Sequence, residues 1–442
     1  MSAEPAESIR LVEVQKSWEQ PPRVLPLAAE LEREITGRAL AVAGQRARVF
    51  AAIDGMAEEC VAQLQELVRI PSVNPSERFE RDVGEYLADR LRKFGMELTQ
   101  IEPQPHRLSN LGVLPGERGA PTLLIDAHMD TVPVGSLANW RFPPFDATIA
   151  EGRIWGRGSK DSKLGIASAL MALTVLQRCD VRLRGTLKLA FTADEEMGGH
   201  LGLHQLVERG LIRADYAIYG EGMPDTITAG HNGWFQCEVT TRGKTSHSAK
   251  KAQGVNAVLK MCEVAPALDA MQFRGFTPHP IVPGQPIASV NIVRGGFKEN
   301  VVPDTCTATV DIRFPPGYTP AQIQEEIRRT LEARRAASPL LQQGEPEEVR
   351  PVNVARPSCV LPGEPVVQYL RACVKDVLGV DPRHTGMLAT SDTRWATLDA
   401  NLPMVGYSMG NDSGHQPNEY VVITEYLQNV KVYALLMLML LT

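Results

Sequence analysis

The sequence predicts an α/β fold: a mostly parallel sheet with helices on both faces, and an inserted α+β domain of the split βαβ, ferredoxin-like type. Strand-like and helix-like segments alternate from residue 96 to residue 219, which is typical of a parallel sheet. Between residues 235 and 354 the order changes to β-α-β-β-α-β, a unit that can fold separately. A chain of 442 residues is also too long for one ordinary domain.

Apolar spacing and breaker residues define the individual elements. Val61, Leu64 and Leu67 recur at helical spacing, and the segment from Pro71 to Pro75 ends that helix. The predicted helices of the main domain are 56–70, 78–95, 164–177 and 200–208. Its predicted strands are 96–101, 122–126, 186–192 and 216–219. The inserted unit is predicted to contain strands 235–240, 287–293, 305–313 and 348–354, and helices 254–268 and 320–336.

These patterns divide the chain into four segments. Residues 1–56 form an N-terminal extension with a helix from about 27 to 52, and a role in assembly is one hypothesis for it. Residues 57–229 begin the main domain, and residues 230–346 form the inserted domain. Residues 347–442 return to helix–strand alternation and complete the first sheet.

Composition argues against several classes of protein. The net charge is −6 without a long basic cluster, so we expect no nucleic-acid partner. The seven cysteines are scattered without a C-x-x-C pair, a pattern typical of reduced thiols in the cytoplasm. The N-terminus is acidic and lacks the apolar stretch of a secretory signal. The apolar run 432–441 is roughly half the length of a membrane span, so we expect a buried terminal helix and no membrane association.

The most informative stretch is an apolar strand that ends in polar residues, LLIDAHMDTVP at 123–133. In an extended strand positions i and i+2 point the same way, so His128 and Asp130 should emerge together at its end. A carboxylate beside an imidazole fixes the tautomer of a metal-bound histidine. The alternative is a strand end that carries two solvated polar residues.

Three carboxylates and a second histidine follow at predicted strand ends and loops. Asp161 precedes a helix in a glycine-rich loop, and Glu196 and Glu221 follow strands. Each alone also fits a helix N-cap or a solvated turn. His415 lies far downstream, in GHQPNEY. Because ligand sites of open α/β sheets gather at the carboxyl ends of strands, these residues and His128 together predict a metal site.

The number and type of these ligands favour two metals. Five ligands are too many for one tetrahedral site with an open position, but they suit two ions that share a bridging carboxylate. Imidazole and carboxylate ligands suit zinc, and less selectively cobalt or manganese.

The motifs that carry a family resemblance are HMDTVP at 128–133, GRG at 156–158 before Asp161, EE at 195–196, Glu221, and GHQPNE at 414–419. In this order they resemble the zinc-dependent aminoacylase/carboxypeptidase metallopeptidases, a family that includes acetylornithine deacetylase, succinyl-diaminopimelate desuccinylase and carboxypeptidase G. The match runs from about residue 57 to the C-terminus. Glu221, rather than an aspartate, resembles the deacetylase and desuccinylase branch.

The resemblance implies a role for each ligand. Asp161 would bridge two divalent metal ions, zinc or alternatively cobalt or manganese. His128 and Glu221 would bind one ion, and Glu196 and His415 the other. One departure is the segment 159–164, SKDSKL, which replaces a pattern of small residues.

The resemblance also implies the catalytic and substrate-binding residues. Glu195 would be the general base that activates a metal-bridging water, and Asp130 would orient His128. The lid motifs place Asn300 and Arg313 near the substrate, and Arg313 could clamp a substrate carboxylate. The alternative for Arg313 is a surface charge at a strand end.

The resemblance also concerns His247, and it implies that the protein forms a dimer. The histidine that matches His247 reaches the partner's active site in dimeric relatives, which makes the inserted segment a lid and dimerisation domain and predicts a homodimer. The alternative for His247 is a solvated loop histidine.

The expected activity is hydrolysis of the amide C–N bond of an N-acyl amino acid or small peptide, a small-molecule substrate that bears a carboxylate. One alternative is a catabolic hydrolase of an unusual C–N bond, such as an aromatic amide or amine. Others are an enzyme that uses a single metal and a non-catalytic binding homologue. A non-catalytic homologue is expected to lack the base or a ligand, whereas this sequence keeps Glu195 and all five ligands.

Overall fold

The computed structural model describes residues 28–442, so residues 1–27 of the predicted N-terminal extension lie outside the described residues. The helices are α1 Ala28–Ala41, α2 Ala43–Gly55, α3 Ala57–Val68, α4 Arg81–Lys93, α5 Lys163–Arg178, α6 Leu203–Glu208, α7 Ala257–Asp269, α8 Pro320–Ala336, α9 Pro365–Leu378 and α10 Ile423–Leu441. The strands are β1 Glu97–Ile101, β2 Ser109–Leu114, β3 Gly119–His128, β4 Thr148–Ala150, β5 Arg153–Trp155, β6 Gly185–Thr192, β7 Tyr216–Tyr219, β8 Thr226–His231, β9 Gly233–Arg242, β10 Ser246–His247, β11 Ile287–Gly295, β12 Val301–Val302, β13 Thr305–Phe314, β14 Glu348–Ala355, β15 Ser358–Cys359, β16 Arg383–Met387, β17 Met404–Gly406 and β18 Tyr420–Val422.

Nine strands of this described segment form one large sheet, in the order β1-β2-β6-β3-β7-β17-β8-β15, with β16 also paired to β8. Strand β3 is parallel to β6 and β7, and β7 is parallel to β17. Strand β2 is antiparallel to β1 and β6, and β8 is antiparallel to β15 and β17. The sheet is therefore mixed rather than mostly parallel. Strands β2 and β8, which the sequence did not predict, each follow the preceding strand through a short connection without a helix, and such a connection reverses the chain direction.

Helices cover both faces of the large sheet. Because side chains alternate along a strand, Leu123 and Ile125 of β3 join one apolar cluster with α5 and α10. Leu124 joins a second cluster with Leu203 and Leu206 of α6 on the opposite face. The central strands are thus buried on both sides, which explains their nearly continuous apolar sequence.

A second sheet, in the order β11-β13-β9-β14, is antiparallel throughout. Its strands and the helices α7 and α8 follow one another in the predicted β-α-β-β-α-β order, interrupted by the short ladder of β10 and β12. Phe235 and Val310 of its strands and Met261 and Ile327 of its helices form an apolar core separate from that of the large sheet.

The C-terminal helix α10 is a buried core element, as its apolar run predicted. Its residues from Val432 to Leu441 are buried, and α1 and α2 pack against it. Arg38 of α1 donates a hydrogen bond to the carbonyl oxygen of Met439 at 3.0 Å, and Lys431 of α10 forms an ion pair with Asp54 of α2 at 2.6 Å. Within residues 28–442, no helix is both long enough and apolar enough to cross a membrane.

The fold brings the predicted site residues to one edge of the large sheet. The parallel strands β3, β6 and β7 end at His128, Thr192 and Tyr219, and their carboxyl ends lie side by side. The loop before α5 and the loop between β17 and β18 reach the same edge. This is the position at which open α/β sheets bind ligands.

The described part of the N-terminal extension should contribute to stability. Ile53 of α2 is fully buried in the main core, whereas Leu40 of α1 is 73% exposed. We expect Ile53→Ala to lower the free energy of unfolding by roughly 2–5 kcal/mol through the cavity it leaves. Leu40→Ala should change it by less than about 0.5 kcal/mol. Urea denaturation followed by circular dichroism measures both, and equal effects would show that α2 is not part of the core.

Candidate active site

Five side chains at the sheet edge form two overlapping groups of metal-ligand type. One group is His128, Asp161 and Glu221, and the other is Asp161, Glu196 and His415, with the ligand atoms of each group within 4.8 Å of one another. The Nε2 atom of His128 lies 3.0 Å from Oδ1 of Asp161. The Nε2 atom of His415 lies 3.1 Å from Oε1 of Glu196 and 3.4 Å from Oδ2 of Asp161. The structure thus brings all five predicted ligands together and places Asp161 between the two groups.

The charges of these groups fit divalent cations. Burial raises the pKa of Glu196 to about 7, and repulsion from Asp161 adds to that effect. Burial also opposes ionisation of Asp161, but Lys160 and His128 outweigh it and hold the pKa of Asp161 well below its usual range. Crowded, buried carboxylates of this kind need nearby positive charge. Imidazole nitrogens and carboxylate oxygens are the donors that zinc and similar ions bind.

Asp130 holds both His128 and the turn that carries Glu196. The Nδ1 atom of His128 lies 2.9 Å from the backbone oxygen of Asp130 and 3.4 Å from its carboxylate, so Nε2 is left to face Asp161. The Asp130 carboxylate accepts hydrogen bonds from the backbone N–H groups of Glu195 and Glu196, each at 3.1 Å. It also accepts one from the side chain of Asn74 at 3.0 Å.

The turn that carries Glu195 and Glu196 is fixed at its start by buried charges. Asp194 has a left-handed φ of 73°, and its side chain forms an ion pair with Arg107. Arg107 also forms an ion pair with Glu80 at 3.1 Å, and all three side chains are buried. Removal of one member would leave a buried charge without its partner, so this network constrains the turn.

Glu195 differs from the five ligands. In the described chain it belongs to neither ligand group, but it lines the same cavity. Burial raises the pKa of Glu195 well above its usual range, and repulsion from Asp392 and Glu221 raises it further. A carboxylate with a raised pKa is suited to accept a proton near neutral pH.

A cavity of about 690 Å³ extends from the ligand groups to the second sheet. Arg313 of β13 also lines this cavity and is stacked over the ring of Trp234, with its Cζ atom 4.8 Å from the ring centroid. Arg313 donates to Asp311 from Nε at 2.8 Å and from Nη2 at 3.3 Å, and to Thr390 from Nη1 at 3.3 Å. A guanidinium has five N–H donors, so terminal N–H groups remain for an anionic group in the cavity.

His247 and Asn300 lie together but away from this cavity. Strand β10 contains His247 and pairs with β12, and the N–H of Ser248 donates to the carbonyl oxygen of Asn300 at 3.0 Å. Both His247 and Asn300 are exposed. Neither is among the described residues that line the cavity.

Comparisons with known proteins agree with this geometry. The model of peptidase family M20/M25/M40 matches residues 124–439. This chain belongs to that family. It is thus a metal-dependent hydrolase that acts on amide bonds, and the resemblance found in the sequence is confirmed.

Several relatives of this M20 protein are similar over nearly their whole length. It is 27% identical over 385 residues to succinyl-diaminopimelate desuccinylase 2 of Shewanella loihica, which covers 84% of this chain and 98% of the relative. It is 28% identical to the succinyl-diaminopimelate desuccinylase of Methylobacterium radiotolerans, covering 84% of this chain and 93% of the relative.

Two solved structures share the fold. A metallo-carboxypeptidase of Sulfolobus solfataricus has a TM-score of 0.70 at 19% identity, covering 86% of this chain and 99% of the other. Human carnosine dipeptidase 1 has a TM-score of 0.73 at 18% identity, covering 89% and 98%.

Sequence reasoning on this M20 chain missed the role of Glu419. Its buried Oε1 accepts hydrogen bonds from the backbone N–H groups of Lys160 and Asp161 at 2.9 and 3.0 Å, and its Oε2 accepts one from Arg157 at 2.6 Å. The loop is anchored further by Lys163, which donates to the carbonyl oxygen of Ile70 at 2.7 Å. The signal available was the carboxylate at the end of GHQPNE, but its partners are backbone amides that no motif reveals.

Loss of the Glu419 charge should weaken metal binding. Glu419→Gln leaves Arg157 without its carboxylate and loosens the backbone at Asp161. We expect metal affinity to fall about 10–100-fold, the usual effect of removing a group that orients a metal ligand. Competition with a fluorescent chelator measures this affinity. Glu425→Gln, at a half-buried glutamate of α10, is the matched control, and equal affinities of the two variants would contradict the role given to Glu419.

Proposed function

We propose that this protein hydrolyses the amide bond of an N-acyl amino acid or small peptide with two divalent metal ions. One observation carries the proposal: Asp161 is shared by two ligand groups and lines a cavity that Arg313 also lines. Such sharing suits a two-metal centre, and a cavity of about 690 Å³ suits a small molecule.

The two ligand groups support one division of the ligands. His128 and Glu221 would hold one ion, Glu196 and His415 would hold the other, and Asp161 would serve both. Zinc is the proposed metal, with cobalt or manganese as alternatives. When bound, the metals supply a Lewis acid for the substrate carbonyl and lower the pKa of a water molecule towards neutrality.

Glu195 is the proposed general base. Its side chain lines the cavity beside the ligands, and its raised pKa suits it to hold a proton between the attack of water and departure of the amine. Asp130 acts on the reaction by positioning: it holds the backbone of Glu195 and Glu196 and orients the ring of His128. A shift of the turn by 1 Å would separate the base from the water it must deprotonate.

The substrate is proposed to carry a carboxylate. Arg313 lines the cavity and keeps N–H donors beyond those used by Asp311 and Thr390, and its stacking on Trp234 holds the guanidinium plane. The relatives at 27–28% identity are named succinyl-diaminopimelate desuccinylases, which makes N-succinyl amino acids the first class to test.

The remaining site residues imply a second copy of the chain. We propose that the large sheet and its helices, in residues 57–229 and 347–442, form the catalytic domain and that the inserted segment 230–346 forms a lid that also dimerises, with the insert extended to residue 355 because β14 belongs to the second sheet. His247 and Asn300 are exposed together and away from this chain's cavity, so they are available to another chain's site. In that homodimer His247 would help hold the oxyanion of the substrate and Asn300 would contact the substrate. The cytoplasmic location stays a prediction.

Metal content and a substrate panel test the function. We expect about two metals per chain by elemental analysis, and metal-dependent hydrolysis of one class among N-succinyl, N-acetyl, dipeptide and aromatic amide substrates. Glu195→Gln should lower kcat by about 10²–10⁴-fold with metal content unchanged, because only proton transfer is lost. Normal turnover by this variant would refute the assigned base. No metal uptake by the wild-type protein would refute the site itself.

Subunit mixing tests the proposed dimer. His247→Ala should lose activity and keep its metals. Mixing it with Glu195→Ala subunits should restore up to about a quarter of wild-type activity per site, because a hybrid dimer contains one site with both an intact base and an intact partner histidine. Each variant mixed with itself is the control. Absence of recovery in mixtures that have exchanged subunits would argue against a shared site.

A further inference from the structure

Lys160 places a positive charge inside one of the two ligand groups. We propose that this lysine is a tethered cation that weakens metal binding at the group of His128, Asp161 and Glu221, so that the two metals bind at clearly different concentrations. This inference rests on the proposed two-metal function and names the residue that makes the two sites unequal.

The position of the ammonium group is the first argument. The Nζ atom of Lys160 lies 3.5 Å from Oδ2 of Asp161 and 3.5 Å from Oε1 of Glu221. Both carboxylates belong to the same ligand group. Only 11% of the lysine side chain is exposed, so solvent screens its charge little.

The surroundings of Lys160 are shaped to hold it. A Cβ atom at Gly410 would lie 2.9 Å from Cε of Lys160, and one at Gly414 would lie 3.2 Å from its Nζ. Two glycines therefore leave the room that this side chain fills. Its backbone N–H donates to Glu419 at 2.9 Å, which fixes the base of the side chain. The ammonium group is consequently held at the ligands and has little freedom to leave.

The charges of the ligands and of Lys160 explain why a second metal ion would bind more weakly. The carboxylates of Asp161, Glu196 and Glu221 carry three negative charges, which one divalent ion and one lysine would neutralise. A second divalent ion then brings a surplus of positive charge and is repelled by the ammonium group. Residues 28–442 show no ion pair between Lys160 and Glu196. Asp161 serves both groups, and its Oδ2 also lies 3.4 Å from Nε2 of His415, so the difference between the groups rests on Glu221, which belongs only to the group that contains His128.

Metal titration of the apoprotein tests the inference. Zinc is added to the full-length protein in competition with a chelator, and manganese is followed directly by calorimetry. The wild type should show two binding steps with separate affinities. Lys160→Met removes the charge and keeps the volume, so it should tighten the weaker step by about tenfold or more. Lys160→Arg keeps the charge and should keep the steps apart. Lys298→Met, at an exposed lysine in the loop between β11 and β12, is the control for overall charge.

Variants that keep only one complete ligand group show which of the two metals Lys160 affects. In His415→Ala only the group with His128 keeps all its ligands, and adding Lys160→Met should tighten its zinc binding by about tenfold. In His128→Ala the same change should have a clearly smaller effect. Lys160→Gln replaces Lys160→Met if circular dichroism shows a loss of folding. Unchanged affinity in the His415→Ala background, or two equal steps in the wild type, would overturn the inference. No metal binding by the wild type would instead overturn the proposed function.

Discussion

Two buried carboxylates, each bound to a pair of consecutive backbone amides, determine where the metal-ligand side chains lie. Asp130 accepts the N–H groups of residues 195–196, and Glu419 accepts those of residues 160–161. The second residue of each pair is a member of the ligand groups. Since the anchor acts on the backbone, the ligand side chains remain free to meet a metal, and the N–H groups stabilise the anchors in their charged form. These two attachments fix the backbone at two of the five candidate ligands, Glu196 and Asp161, and connect loops far apart in the chain.

The same edge of the sheet concentrates negative charge, and the protein offsets it with cations of different kinds. Arg107 balances the turn at Asp194, Arg157 balances Glu419, and Lys160 balances the ligands themselves. The first two are arginines that pair with groups behind the site, whereas the lysine reaches the ligands. A metal therefore enters a region in which the supporting charges are already paired, and its binding is governed by the few carboxylates that face the cavity.

The structure brings together the five side chains that the sequence singles out as candidate ligands, because their positions follow from local rules. His128 ends the apolar strand β3. Glu196 and Glu221 follow β6 and β7, which are both parallel to β3, so these three residues meet at neighbouring strand ends. The contacts of Asn74 with Asp130, of Glu419 with the loop at Asp161, and of Lys160 with Glu221 were not predicted. Their partners are distant in sequence, and some of them are backbone amides. Strand direction was missed because β2 and β8 were not predicted, and because an apolar pattern does not encode which neighbour a strand pairs with. Arg313 lines the cavity, and its substrate-binding role stays a prediction; its pairing with Asp311, two residues away on the same strand face, was not predicted.

The chain leaves the large sheet after β8, builds the second sheet, and then returns to add β15, β16 and β17 before α10 covers the core. Synthesis on the ribosome proceeds in that order. While residues 233–355 emerge, the earlier strands have neither β17 beside them nor α10 over their apolar face. Until residues 404–441 have been synthesised, β7 lacks its neighbour β17 and the apolar face lacks α10, whereas the second sheet has its own core and can form first. The antiparallel insert can thus form before the site it adjoins, and the edge of β7 stays unpaired during that interval.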